Sequence, residues 1–227
     1  LKACREAKIN TSWHEPNAAY EESVRSFIEG IYQTPEFLGS LERFVEPLIL
    51  PGRINSLAQT LLKMVVPGVP DFYQGSELWD LSLVDPDNRR PVDFALRSRL
   101  LARARELGAA DALADWDSGL PKLWMAARLL HLRRDRPADF GDGSKYQPLV
   151  AQGAHLSRLL AFRRGDNLIA VVPRLATSLR GDWGDTRLPL PGGAWRDCFT
   201  AAILEREASP EGLFAGFPVA LLIRETT

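Results

Sequence analysis

One change of rhythm constrains what this chain can fold into. Up to Arg134 its apolar residues recur at helical spacing; after Pro137 they fall into short runs between turn signals. Asn17 can cap a first helix whose apolar positions are Tyr20, Val24, Phe27, Ile28 and Ile31. Thr34-Pro35 starts a second, with Phe37, Leu38, Leu41, Phe44, Val45 and Leu48 on one side, and proline suits the first helical position. Pro51-Gly52 is expected to break the chain. Ile54, Leu57, Ala58, Leu61, Leu62 and Val65 then mark a third helix, ended by Pro67. Residues 69–73 form a short apolar run that reads as a buried strand, and helix followed by strand is the rhythm of an α/β unit. Asp93 can cap the next helix, with Leu96, Leu100, Ala104 and Leu107 inward and Gly108 as its stop. Another runs from about Leu120 to Arg134.

Past Pro137, residues 156–162, the turn Arg164-Gly165-Asp166-Asn167 and residues 168–172 predict a β-hairpin. Residues 186–190, 194–199 and 218–223 read as further strands, with spacing that suits a small antiparallel sandwich of roughly 80 residues. The boundary is placed in 137–144, giving domains 1–140 and 141–227. With 227 residues, 45% of them hydrophobic, the chain can bury a core for one or two domains. A net charge of −1 gives no general attraction to nucleic acid or to anionic lipid. No apolar run approaches ~18 residues, so no membrane span is expected, and the start does not read as a signal peptide. Cys4 and Cys198 form no CxxC pair or disulfide framework, which makes a reduced, cytoplasmic setting the expectation. Leu1 sits in what reads as the middle of a helix (LKACREAK), so a piece of a longer protein is expected.

The stretch 67–94, PGVPDFYQGSELWDLSLVDPDNRRPVDF, carries the chemistry. Asp71, Glu77, Asp80, Asp85, Asp87 and Asp93 stand with Arg89 and Arg90, and Tyr73 and Trp79 add aromatic faces with a polar handle. Pro67, Gly68, Pro70, Gly75 and Pro86 keep the stretch from becoming a helix. Loops of this kind on a rigid scaffold carry function. An aromatic face beside fixed carboxylates and a forked guanidinium suits a sugar: the ring stacks against its C–H face and the charged groups take its hydroxyls.

TSWHEPNAAYEE (11–22), FVEPLILPGRINSLAQTLLKMVVPGVPDFYQGSELWDLSLVDPDNRRPVDF (44–94) and the order of elements closely resemble the C-terminal part of the maltooligosyltrehalose synthase family, in the α-amylase superfamily. The resemblance covers most of the first 140 residues and, more weakly, the terminal β region. It implies a helical region holding the last strand or strands of a (β/α)8 barrel, followed by an antiparallel β-sandwich. It also implies intramolecular transglycosylation, with retention, of the reducing-end α-1,4 linkage of a maltooligosaccharide to α,α-1,1. In retaining enzymes a carboxylate nucleophile and a carboxylic acid/base stand about 5 Å apart. The family's catalytic carboxylates lie on earlier strands, the last in a His-Asp-Thr-Lys type motif that this chain lacks. No catalytic residue is therefore assigned here, and the chain is expected to be inactive without the N-terminal part of the enzyme.

The resemblance implies a substrate-binding role for Tyr73, Gln74, Glu77, Trp79, Asp87, Arg89 and Arg90. Tyr73, Gln74 and Glu77 would follow a strand whose C-terminal end faces a barrel's active site. The plainer alternative is that Tyr73 and Gln74 merely satisfy buried backbone groups at the strand end; Glu77, without a partner carboxylate, is not read as an acid/base. Asp87 and Asn88 are turn formers; one of Arg89 and Arg90 is expected to order the loop by a bidentate carboxylate pair, while the other, or Asp87, reaches sugar hydroxyls. Trp13 and His14 read as a loop pinned by one buried tryptophan, or as the edge of a cleft. Three scattered histidines make no metal constellation, and neither metal nor organic cofactor is implied. Arg128, Arg133, Arg134 and Arg136 read as a solvated helix face, and Trp183 and Trp195 as core. The rival readings are a non-catalytic carbohydrate-binding or structural module, and an α-glucan hydrolase of the same superfamily. An incomplete barrel would also expose unpaired strand edges.

Overall fold

The computed structural model describes residues 1–83, 85–179 and 181–225. Among these the chain divides into two compact units. The smaller comprises Leu1–Ile49 and Asp80–Val92, the larger Leu50–Trp79 and Asp93–Thr227.

The smaller unit contains α1 (Lys2–Ala7), α2 (Ala18–Tyr32) and the first part of α3 (Pro35–Val65). Asn17 caps α2 as the sequence predicts, its side-chain oxygen accepting from the Tyr20 N–H at 3.1 Å. A polar knot ties α1 to α2. Arg5 grips both carboxylate oxygens of Glu21 at 2.7 and 2.5 Å, and the Thr11 hydroxyl donates to Glu21 at 2.7 Å. The Arg5 guanidinium and the Thr11 hydroxyl together pull the Glu21 carboxyl down to about 2.

The chain does not break at Pro51-Gly52: α3 runs unbroken from Pro35 to Val65. An interior proline removes one helical hydrogen bond and costs about 3 kcal/mol in isolation. Burial of Leu57, Ala58, Leu61, Met64 and Val65 at the other end of α3 offsets that cost. The Pro-Gly signal coincides instead with the division between units, after Ile49. Residues 69–73, expected as a strand, lie in no ladder, and Val69 is 95% exposed. A strand needs a neighbour to take its N–H and C=O groups, and none pairs with this one among the described residues.

The larger unit continues with α4 (Phe94–Ala104), α5 (Ala109–Leu113), α6 (Leu120–Asp135) and α7 (Pro137–Phe140). There follow β1 (Tyr146–Leu149), β2 (Leu159–Arg164), β3 (Leu168–Pro173), α8 (Ala176–Leu179), β4 (Leu188–Asp197), β5 (Ile203–Ala208), α9 (Pro210–Phe214) and β6 (Ala220–Arg224). The predicted hairpin is β2–β3, with Arg164 opposite Leu168. The sequence pattern does not announce β5 or α9. The strands expected as a sandwich pair into one antiparallel sheet, in the order β1-β2-β3-β6-β4-β5, and a register shift between Pro189 and Ala194 bends β4.

Strand alternation gives this sheet two buried faces. Phe162, Leu168, Ala170, Val172 and Leu221 join Leu57, Leu61, Trp124 and Leu129 in one core. Ile169, Val171, Ala220 and Leu222 join Trp183, Leu188, Trp195 and Leu213 in the other. The first core therefore runs from helix to sheet across residue 140. Trp183 and Trp195 are core residues, as their sequence context predicts.

Candidate substrate-binding loop

The seven candidate residues divide between the units. Tyr73, Gln74, Glu77 and Trp79 fall in the larger, Asp87, Arg89 and Arg90 in the smaller; Val84, between them, lies outside the described residues.

In the larger unit the loop after α3 turns at 74–77, with the Ser76 N–H donating to the Tyr73 carbonyl at 3.0 Å. Arg97 fixes this turn in place. Its Nε donates to Glu77 Oε2 at 2.8 Å, its Nη2 to the Gly75 carbonyl at 2.6 Å and its Nη1 to the Asp93 carbonyl at 3.2 Å. Arg97 stands one turn into α4, where Asp93 caps the helix through the Leu96 N–H at 2.8 Å. One guanidinium thus joins a carboxylate and two carbonyls, a use of its planar fork that lysine cannot reproduce. Lys122, buried on α6, donates to the Leu78 carbonyl at 3.1 Å.

Trp79 is an anchor. Its ring stacks on Trp116 at 5.8 Å and 15°, and its Nε1 donates to the Trp116 carbonyl. Arg53 lies over the ring at 5.9 Å while pairing with Asp117 at 2.8 Å. Gly119, at φ +79°, passes so close that a Cβ there would sit 2.8 Å from the Trp79 nitrogen. Tyr73 and Gln74 remain exposed. Their side chains can meet a ligand, whereas Glu77 and Trp79 spend polar atoms on holding the loop.

In the smaller unit Asp87 is the hub. One carboxylate oxygen accepts from the Leu83 N–H at 2.8 Å, and the other from Arg90 Nε at 2.8 Å and from Arg90 Nη2. The Leu83 N–H, and then the Arg90 guanidinium, hold the Asp87 carboxyl below the usual carboxylate range. Arg89 makes the bidentate fork, its Nε on Asp85 Oδ1 at 2.9 Å and its Nη2 on Oδ2. Both guanidiniums pair with carboxylates of their own loop, where the sequence predicts one such pair. These pairs are exposed, so each adds little stability and serves mainly to set the loop's shape.

Sequence reasoning missed Arg97, Lys122 and Trp116. They lie 20 to 44 residues from their partners, and no local spacing announces such contacts. The arginines of α6 are less solvated than expected: Arg128 lies over Trp124 at 4.3 Å, and Arg133 donates to the Met64 carbonyl at 2.6 Å. Trp13 is 46% exposed instead of buried, bonded to Glu6 at 2.7 Å. Cys4 and Cys198 are free thiols. Among the described residues no group of three or more His, Cys, Asp or Glu could hold a metal ion, and no helix is long and apolar enough to cross a membrane.

Helices feeding one curled antiparallel sheet, with a charged and aromatic loop clamped by a distant arginine, define a mixed α and β segment with antiparallel strand pairing. No family model matches the chain. A Mycobacterium tuberculosis (strain H37Rv) protein that carries the name maltooligosyl trehalose synthase is 40% identical over 225 residues, 99% of this chain and 27% of that protein. The structure of maltooligosyltrehalose synthase from Arthrobacter ramosus matches with a TM-score of 0.84 at 40% identity, covering 98% of this chain and 29% of that one. A Sulfolobus tokodaii hypothetical maltooligosyl trehalose synthase matches at 29% identity with a TM-score of 0.71, over 98% of this chain and 28% of that one. The chain is homologous to a C-terminal portion of maltooligosyltrehalose synthases and spans 27–29% of the length of these relatives.

Proposed function

We propose that this chain is the C-terminal part of an intramolecular glycosyl transferase. The whole enzyme would convert the reducing-end α-1,4 linkage of a maltooligosaccharide to α,α-1,1, yielding maltooligosyltrehalose in the cytoplasm. The observation that carries the reading is 40% identity sustained along 99% of the chain. In it, residues 69–73 complete an α-amylase-type barrel when the earlier strands are beside them. Residues 1–140 are the barrel's end, and 141–227 the β-sandwich domain formed by the curled sheet.

The chain's own residues would shape the cleft at the reducing end. Exposed Tyr73 and Gln74 present a ring face and a planar amide to a glucose unit. Glu77, fixed by Arg97, offers its carboxylate to hydroxyls in one orientation, and Trp79 holds the loop end. Asp87, Arg89 and Arg90 supply a pre-shaped polar loop on the acceptor side. Orientation of this kind lets the released glucose, instead of water, accept the glycosyl group. The nucleophile and the acid/base belong to the N-terminal part of the enzyme.

The test is incubation of the complete enzyme with maltopentaose, followed by a reducing-end assay. Loss of reducing ends is expected. A gain identifies a hydrolase, and no change a non-catalytic module. The 227-residue chain alone should leave them unchanged; loss of reducing ends by that chain would overturn the placement of the catalytic carboxylates.

A further inference from the structure

The smaller unit carries several large apolar side chains that stay exposed. On α2, Phe27 is 69% and Tyr32 70% exposed; on α3, Phe44 is 68% exposed. α2 buries only Glu21, and the first residue that α3 buries is Leu57. Leu41, Val45 and Ile49, spaced four residues apart, line a groove of about 600 Å³ along α3, with Glu42 and Glu46 also on its wall. Spacing of this kind makes a ridge along one side of a helix, the surface that a second helix packs into. Monomeric proteins rarely leave a contiguous apolar patch of more than a few hundred Å² to water.

The match to the synthases leaves more than two thirds of each relative's length outside this chain. We infer that an apolar helical segment from the N-terminal part of the same polypeptide packs into this groove in the complete enzyme; the inference rests on the proposed reading of the chain as part of a synthase. Such a segment, joined covalently, needs only shape and apolarity to bind, because the linkage supplies the effective concentration. Leu41, Val45 and Ile49 supply the apolar part of that wall, beside Glu42, Arg43 and Glu46.

The test compares Val45→Cys, at a groove-lining side chain 41% exposed, in the complete enzyme and in the 227-residue chain. Maleimide labelling is located by mass spectrometry, so that Cys4 and Cys198 do not interfere. Ile49→Cys, also on the groove wall, serves if that variant fails to fold, and Val150→Cys, at a side chain 73% exposed in the native chain, is the control. Labelling at position 45 should be at least about tenfold slower in the complete enzyme, with position 150 unchanged. Equal rates at position 45 overturn the inference. So does protection in the short chain that fades on dilution, which would assign the groove to a second copy. Reducing-end loss from maltopentaose is measured on the same complete enzyme. Activity with an unprotected position 45 removes the interface and leaves the functional reading standing; protection without activity does the reverse.

Discussion

Trp124, Trp195, Phe162 and Phe217 of the larger unit are at most 1% exposed, whereas the described residues buried in the smaller unit are Thr11 and Glu21. Both units carry aromatic and aliphatic residues at regular spacing. In the larger, helices α4–α6 and the sheet close on each other, and the spacing becomes a core. In the smaller, α2 and the start of α3 have the same pattern, but among the described residues no apolar side chain there is buried, and ion pairs and caps do the ordering. Periodicity therefore specifies a helix in both places, but its stabilisation by burial appears only where a second element arrives.

The largest break in that comparison should come from paired truncations in the 227-residue chain. Phe162→Ala removes a fully buried ring and should cost about 3–5 kcal/mol in urea unfolding. Phe44→Ala, at an exposed position, should change stability by no more than about 0.5 kcal/mol. Equal costs would mean that the smaller unit has a core of its own. Next comes Gly119→Ala, which combines φ +79° with a 2.8 Å approach to the Trp79 backbone. It should cost about 1–3 kcal/mol in thermal unfolding and weaken the Trp79–Trp116 stack, visible in near-ultraviolet circular dichroism.

The two guanidinium clamps give a sharper contrast. Arg97→Lys in the larger unit and Arg90→Lys in the smaller each lose a fork. In the complete enzyme each should lower kcat/KM by about tenfold, or roughly 1.4 kcal/mol. An effect of Arg97→Lys alone would confine substrate recognition to the larger unit's loop, and unchanged kinetics for Arg90→Lys would remove Arg90 from the binding residues.

Acid should produce the smallest effect, with opposite signs in the two units. Glu21 is depressed from 4.5 to about 2 by Arg5 and Thr11, so its stabilisation is complete above pH 4.5 and is lost as pH falls toward 2. Burial pushes Asp197 of the larger unit upward, so its contribution is present at low pH and is lost as pH rises through its elevated value. Hydrogen exchange at acidic pH should therefore loosen α2 before the turn after β4. Glu21→Gln should flatten the pH dependence of α2, and a dependence left unchanged in that variant would show the knot to be idle.

Much of the helical half is legible in the sequence because its signals are local. The caps at Asn17 and Asp93, the span of α6 and the β2–β3 turn each rest on residues within a few positions of one another. The misreadings have a common cause. Pro51-Gly52 is a strong local breaker overridden by packing elsewhere on α3, and residues 69–73 have a strand's composition without a neighbour to complete it. Within the candidate site, the residue types of 73–90 point to polar recognition, and adjacent arginines after acids point to a fork. That both arginines pair with their own loop, and that Trp79 serves as an anchor, depends on geometry.

By itself, then, the sequence determined where helices begin, where the strands take over and which loop holds the charged and aromatic groups, because caps, turns and periodicity act over a turn or two of chain. Only the tertiary structure decided that Arg97, Lys122 and Trp116 hold that loop, that the strands pair as one sheet, and that large apolar side chains of α2 and of the first part of α3 stay exposed. Those outcomes depend on contacts between residues far apart in the chain, which local spacing cannot encode.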